Sequence, residues 1–462
     1  MNNRLGIHYF PDTKHYREHD ASKWIPELKD LGLSWLVLIN PSKRAIPENF
    51  LSQLIKSSVT PILHFNLPVE PNVELDSIDL FFKTYARWGV KYVCLFDRPN
   101  LRKSWPSNSW TQRNLVDQFL DIYIPLANRL LEYDLIPVFP PLEPGGDYWD
   151  TSFLRLALRS LRRRGKTKLL DSLVIGAYAW LNNHPLNWGA GGPENWPEAK
   201  PYRNSTGTQD QMGFRIFDWY STIARAELGQ PRPIILMKVG ERAANPYSRE
   251  NYSTNHRKYS EQLFEISQIM AGRIETNILT DQTSENNVEL ISSKFNDPVP
   301  NEVIACNYWL LGTDKNSPHT DESWYKPDSS QMHIVSALKN HHQLLNSKNQ
   351  REYIQEVNQN TESRKKSTPK FTSVRFNSRP IRHYFLILLY GWGVAEWDMD
   401  FIRPYIQRFH PTVGFSLDEA LLSKKVTLVG NLDGLPKGAL AKLRVAGCKV
   451  EHLENDGTLL AI

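Results

Sequence analysis

The first three-quarters of the chain repeat one hydrophobic pattern: a short β-rich apolar run, a loop, then a stretch with apolar positions at helical spacing. The runs predict strands over residues 5–10, 34–40, 60–66, 91–96, 135–139, 173–178, 233–238 and 302–309. The spacing between them predicts helices over residues 21–31, 49–55, 75–88, 111–131, 151–161, 212–228 and 258–270, and a last one around 332–345. Asp20, Asp76 and Asp150 stand near helix starts, where a carboxylate satisfies free N–H groups and favours the dipole. Strands alternating with helices specify a parallel sheet, because each return to the same edge needs a crossover. Eight such units close most economically into a (β/α)8 TIM barrel. Chemistry in such a barrel lies at the C-terminal strand ends. The long Gly-, Pro-, Asn- and Trp-rich loop over residues 180–211 and the loop over residues 309–329 are therefore expected at one mouth.

From about residue 346 to 380 the chain turns polar and loses its apolar period, which predicts an interdomain linker. Beyond it a compact β-α-β-α-β pattern follows, with strands over residues 383–390, 425–429 and 449–453 and helices over residues 399–409 and 435–446. The expected organisation is a barrel at 1–345, a linker at 346–380 and a small α/β, Rossmann-like sandwich at 381–462. That last unit has no G-x-G-x-x-G turn and no P-loop, so no nucleotide is implied.

Composition narrows the class. A net charge of +5 over 462 residues is slight and argues against a nucleic-acid binder. The 14 Trp and 19 Tyr suit either a large core or sugar-stacking clefts. Cys94, Cys306 and Cys448 are far apart and form neither a disulfide framework nor a metal-binding spacing, so no metal or other cofactor is expected. No apolar run approaches the ~20 residues of a membrane span. Met1–Arg4 run directly into the first strand with no room for a signal segment, and a reducing, cytoplasmic location is the expectation.

The chemistry centres on KYVCLFDRPNLRKSW, residues 91–105, where an apolar run breaks at Asp97-Arg98-Pro99-Asn100. This resembles the strand-4 end of the cellulase-like (clan A) retaining glycosidases, whose Asn-Glu-Pro carries the acid/base glutamate. The strand-7 segment PRPIILMKVGE, residues 231–241, resembles the family's apolar run ending in Thr-Glu-Gly-Gly and would put the nucleophile at Lys238. The resemblance, over about residues 5–345, implies a TIM barrel with Asn100, Glu143, Tyr178, Trp180 and Trp309 lining a sugar pocket. Tyr178 would be the hydroxyl that orients the nucleophile, and Trp309 the platform beneath the sugar.

A retaining glycosidase needs two carboxyl groups about 5–5.5 Å apart, one to protonate the leaving oxygen and one to attack. Both expected positions are basic here, Arg98 and Lys238. Arg does not deprotonate at neutral pH, and Lys cannot form the ordinary glycosyl ester. The expectation is a barrel without this mechanism that binds a saccharide or glycoconjugate, an anionic sugar among the options, with the C-terminal unit as a module for a protein partner. Two alternatives stay open: an active glycosidase using displaced carboxylates among Asp97, Glu143, Glu241 and Asp147, or carbonyl chemistry on Lys238. Two cations about 5 Å apart repel by roughly 3 kcal/mol at an effective dielectric of about 20. Neighbouring acids (Asp97, Glu143, Glu241) or an anionic ligand must therefore compensate them. His8, His64 and His184 read as pocket or core residues, Arg162–Arg164 as a solvated helix end, and Trp188 and Trp196 equally as packing anchors or outer sugar platforms.

Overall fold

In the computed structural model the described residues are 3–241 (except 42–43, 71–74, 107–108 and 111–113), 256–271, 299–344, 381–388 and, in the C-terminal part, 402–403, 405–406, 411–430, 432, 435, 438–453 and 459–461. The chain divides into two compact units, residues 1–355 and 356–462. The first is a closed barrel of eight parallel strands: β1 (Leu5–His8), β2 (Trp35–Ile39), β3 (Thr60–Phe65), β4 (Tyr92–Leu95), β5 (Ile136–Phe139), β6 (Val174–Trp180), β7 (Ile234–Gly240) and β8 (Val303–Tyr308). Each strand pairs with the next, and β1 closes on β8 through the register Leu5 to Cys306, Gly6 to Asn307 and Ile7 to Tyr308.

Period-two alternation sorts the strand side chains into two cores. Val37, Ile62, Cys94, Val138, Tyr178, Ile235, Met237 and Trp309 fill the barrel interior. Leu36, Leu63, Val93, Phe139, Leu236 and Cys306 point outward and pack under the helices. The helices at Glu18–Asp30, Glu48–Lys56, Leu75–Arg87, Leu115–Glu132, Asp150–Arg163, Ile216–Leu228, His256–Met270 and residues 333–344 answer the predicted ones within a few residues. Two short helices, Thr167–Ser172 and Gly192–Asn195, were not legible from spacing, since a helix of one or two turns shows little of the 3.6 period.

Strand ends depart from the sequence reading where the mouth is built. β4 stops at Leu95 because Phe96 enters the left-handed region at φ 71°. β6 and β7 run on to Trp180 and Gly240, with a register shift at Ala177/Tyr178 that brings Tyr178 opposite Lys238. Irregularity of this kind beside a site re-aims side chains.

The C-terminal unit has β9 (Ile381–Ile387), β10 (Thr412–Gly414), β11 (Ser423–Val429), β12 (Lys449–Leu453) and β13 (Leu459–Ala461) in the order β10-β9-β11-β12-β13. The first four are mutually parallel, and β13 is antiparallel to β12. The edge strands β10 and β13 escaped the sequence reading because three residues carry no period. The helix expected at 435–446 is Ala439–Val445. The polar segment 346–380 lies outside the described residues, as does most of the helix expected at 399–409. No helix among the described residues is long and apolar enough to cross a membrane.

Gly6 in β1 tests the closure. A Cβ there would stand 2.5 Å from Trp35 Cβ and 2.7 Å from the Trp35 carbonyl oxygen, and backbone cannot swing aside. Gly6→Ala is expected to destabilise the barrel by about 2 kcal/mol or more, the scale of core overpacking, read as a lowered urea midpoint.

Candidate functional site

The site grows from the turn after β4. Phe96 and Arg98 both hold positive φ, 71° and 48°, a conformation that costs a non-glycine residue about 1–2 kcal/mol each. Neighbouring contacts over-determine it. Arg98 N–H donates to the Pro141 carbonyl at 3.0 Å, and Ser104 Oγ donates to the Arg98 carbonyl at 2.9 Å. The fully buried Asn100 accepts from Glu143 N–H at 2.8 Å and donates to the Glu143 and Tyr148 carbonyls at 2.8 and 2.9 Å. Its amide is thus spent on clamping the β4 loop to the β5 loop. That β5 loop is fixed again by the buried Asp150, which accepts from Gly145 N–H, Gln211 Nε2 and Tyr220 Oη at 3.0, 2.7 and 3.0 Å. Burial pushes the Asp150 carboxyl up to about 6 against these hydrogen bonds.

The clamp brings three charges together. Arg98 reaches Asp97 Oδ2 through Nη2 and Nε at 2.8 and 3.0 Å, and Glu143 Oε2 through Nη1 at 3.2 Å. Tyr178 Oη donates to Asp97 Oδ1 at 2.5 Å. Asp97 and Glu143 are 11% and 6% exposed at the side chain, so these are buried ion pairs. Burial alone would raise the Asp97 carboxyl, but the charges of Lys238 and Arg98 hold it far below the usual carboxylate range.

Lys238, in β7, is held differently. Its ammonium lies 5.0 Å from the centre of the Tyr178 ring and 4.3 Å from that of Trp309, while the Arg98 guanidinium lies 5.8 Å from the same Tyr178 centre. The two cations share one aromatic wall and one pocket. Among the described residues Lys238 Nζ makes no hydrogen bond or ion pair, in contrast to Arg98. Burial and then the Arg98 charge push the Lys238 ammonium down to about 8, with Asp97 opposing. Trp309 is fixed through Nε1 to the Glu322 carboxylate, which also takes His319 Nδ1 at 2.7 Å. His8 meets the Trp309 ring edge-on at 4.7 Å, and burial keeps its imidazole neutral. His64 Nε2 lies 2.9 Å from the Phe96 carbonyl oxygen and so braces the strained turn.

The other predicted residues fall elsewhere. Glu241 accepts from Asn183 N–H at 2.9 Å and ties down the loop after β6. Asp147 is exposed and accepts from Arg102 N–H at 2.8 Å. Trp180 is buried against Tyr178 at 5.5 Å. Trp188 donates to Asp210 at 2.9 Å and Trp196 to the Ala190 carbonyl at 3.1 Å, so both anchor loop packing. Arg162 donates to the Glu227 carbonyl, and Arg163 and Arg164 pair with Asp117. A groove of about 700 Å³ opens beside Glu143, bordered by Leu101, Arg102, Lys103 and Trp105.

Sequence reasoning missed Glu322, since a carboxylate 13 residues past Trp309 in a loop carries no pattern. It also missed a clasp at the rim. His15 lies 2.9 Å from Asp12 and 3.2 Å from Asp314, joining the loops after β1 and β8. These three side chains could in principle hold a metal. However, the imidazole spends both nitrogens on the two carboxylates. Burial disfavours its charged form, but Asp12 and Asp314 outweigh that and raise it.

Removing the guanidinium should expose the cost of the acids it holds. Arg98→Met is expected to lose about 3 kcal/mol at pH 7, the scale for breaking a buried pair. Asp97 is depressed in the fold, so its stabilising contribution is full above the ordinary carboxylate pKa of about 3.9 and is lost as pH falls toward its lowered value. The gap between wild type and Arg98→Met in urea unfolding should therefore narrow as pH falls below about 4.

No family model matches this sequence, and no curated protein does. Among solved structures the similar ones include the following glycan-cleaving enzymes. A monomeric β-xylosidase from Caulobacter crescentus CB15 shares 11% identity at a TM-score of 0.43, over 73% of this chain and 67% of that one. Xylanase 10B from Thermotoga maritima shares 13% at 0.41, over 74% of this chain and 95% of its own. An endo-β-1,3-glucanase from Sorangium cellulosum shares 11% at 0.38, over 73% and 97%. The eight-stranded parallel barrel is established by this chain's own strand pairing.

Proposed function

We propose that the barrel binds a saccharide at its mouth and does not perform retaining glycoside hydrolysis. The observation that carries this reading is the engagement of Asp97 and Glu143 by the one Arg98 guanidinium, with Lys238 as the next charge in the pocket. A general acid works best with its pKa near the operating pH, and the surrounding cations hold Asp97 far below it. A nucleophilic carboxylate must present a free oxygen to carbon, whereas both of these acids are tied to a cation that cannot give up its proton. Because Arg98 is neutralised from within the fold, the pocket does not require an anionic sugar. Tyr178 and Trp309 supply the aromatic wall, and the groove beside Glu143 supplies room for more than one sugar unit. The C-terminal unit, which lacks a nucleotide motif, is assigned to positioning or to a protein partner.

One observation favours the second reading, a glycosidase with displaced carboxylates: Asp97 and Glu143 converge on the same guanidinium and so stand near each other. Fluorinated mechanism-based sugars separate the two. The binding reading expects no covalent label and no turnover of aryl glycosides, together with saturable quenching of tryptophan fluorescence by neutral oligosaccharides. Trp309→Ala should weaken that binding at least about tenfold, the order for a lost stacking platform. Stoichiometric labelling of Asp97 or Glu143 would sink the binding reading and establish the second.

A further inference from the structure

The binding reading leaves Lys238 without a task. It stands in a barrel strand, half-buried, between two aromatic faces. The charged groups that act on it are Asp97, Arg98, Glu143 and Glu322, and it in turn acts on the imidazoles of His8 and His64 and the thiol of Cys94. None of the described acids touches its nitrogen: Asp97 and Glu143 are turned to Arg98, and Glu322 to Trp309 and His319. A lysine that is withdrawn from water, placed beside a second cation and denied a carboxylate partner has the surroundings that turn an ammonium into a nucleophilic amine.

We infer that Lys238 is an imine-forming amine that captures the carbonyl carbon of an aldehyde entering the barrel mouth. The aldehyde class assigned is the open-chain form of a reducing sugar, and that assignment of the sugar rests on the saccharide-binding reading. The step balances without a co-reactant. The Nζ lone pair adds to the carbonyl carbon and the C=O π pair moves to oxygen. A proton passes from nitrogen to that oxygen through solvent and gives a carbinolamine. Nitrogen then expels the protonated hydroxyl as water and loses its remaining proton. One amine and one aldehyde become one imine and one water, nothing is oxidised or reduced, and water reverses the reaction. The barrel therefore holds its ligand by a reversible covalent bond rather than turning it over.

The position of the ammonium equilibrium agrees with this geometry. Loss of water lowers the ammonium first; Asp97, Glu143 and Glu322 favour the charged form and the Arg98 charge opposes it, which sets the group at about 8. At pH 7 such an amine is roughly one-tenth neutral, whereas an ordinary lysine near 10.4 is neutral in fewer than about one molecule in a thousand. Because the charged form is the unreactive one, capture should rise with pH and level off above about 8, while surface lysines keep gaining reactivity toward 10.

The test uses the full chain with glyceraldehyde and, separately, ribose, each with cyanoborohydride, which delivers hydride to an imine and fixes it as a secondary amine. Peptide mass spectrometry then reads every lysine at several pH values. The expected result is labelling of Lys238 at least about tenfold faster than the median lysine at pH 7, with its rate reaching a plateau near pH 8. Lys238→Arg keeps the positive charge and serves as the folded control, checked by its unfolding midpoint, and should lose the privileged label alone. Uniform labelling, or a Lys238 rate that climbs in parallel with surface lysines, would overturn the inference. Selective capture of glyceraldehyde without ribose would overturn the sugar assignment. Binding of a methyl glycoside, which cannot open to an aldehyde, is measured alongside. Its presence without any adduct defeats the imine and leaves the binding reading intact. Its absence with a selective adduct does the reverse.

Discussion

The geometry of the barrel mouth depends on one planar cation. Arg98 spans two acids from neighbouring strand ends, its fork gripping Asp97 through two nitrogens and Glu143 through a third in one fixed plane. The arrangement is no simple gain in stability, since removing three charges from water costs most of what their attraction returns. What it fixes is geometry. With Arg98 bonded in two directions, the β4 and β5 loops cannot slide past each other. Asp97 is then held where Tyr178 donates to it, and the ring of Tyr178 becomes the wall shared with Lys238.

The strained backbone at Phe96 and Arg98 makes sense in that light. Positive φ at two non-glycine residues turns the chain hard enough to put the guanidinium between the acids, and the surrounding contacts hold the turn. Asn100 clamps the loop pair, His64 braces Phe96, and Asp150 holds Gly145 of the β5 loop. None of these residues needs to meet a ligand to matter for the site. Their effect is transmitted through the position of one side chain.

The two cations of the pocket end in different states for reasons intrinsic to their side chains. Arg keeps its charge under burial and is satisfied by bidentate partners, so the fold surrounds it with acids. The lysine ammonium is strongly hydrated and responds to dehydration by shifting its equilibrium, so the same surroundings, which give it no carboxylate within ion-pair reach among the described residues, leave it nearer neutrality. One pocket thus contains a locked charge and a labile one.

By itself the sequence determined the barrel. Eight apolar runs alternating with helical patterns admit few other closures, and hydrophobic period is a local property that survives without knowledge of contacts. It also placed Arg98 and Lys238 at strand ends, and it named Asp97, Glu143 and Glu241, or an anionic ligand, as what must compensate them. The tertiary structure alone decided which acid went where. Glu241 and Asp147 read as equal candidates along the chain, yet they turn to Asn183 and Arg102. Asn100 reads as a ligand contact and is instead wholly buried in the loop clamp. Glu322 and the His15 clasp had no sequence signal, because loop residues meet through closure of the barrel and not through spacing. Periodicity reports which face of an element is apolar. The partner of a polar side chain is set by where several loops converge, and that is a property of the closed fold.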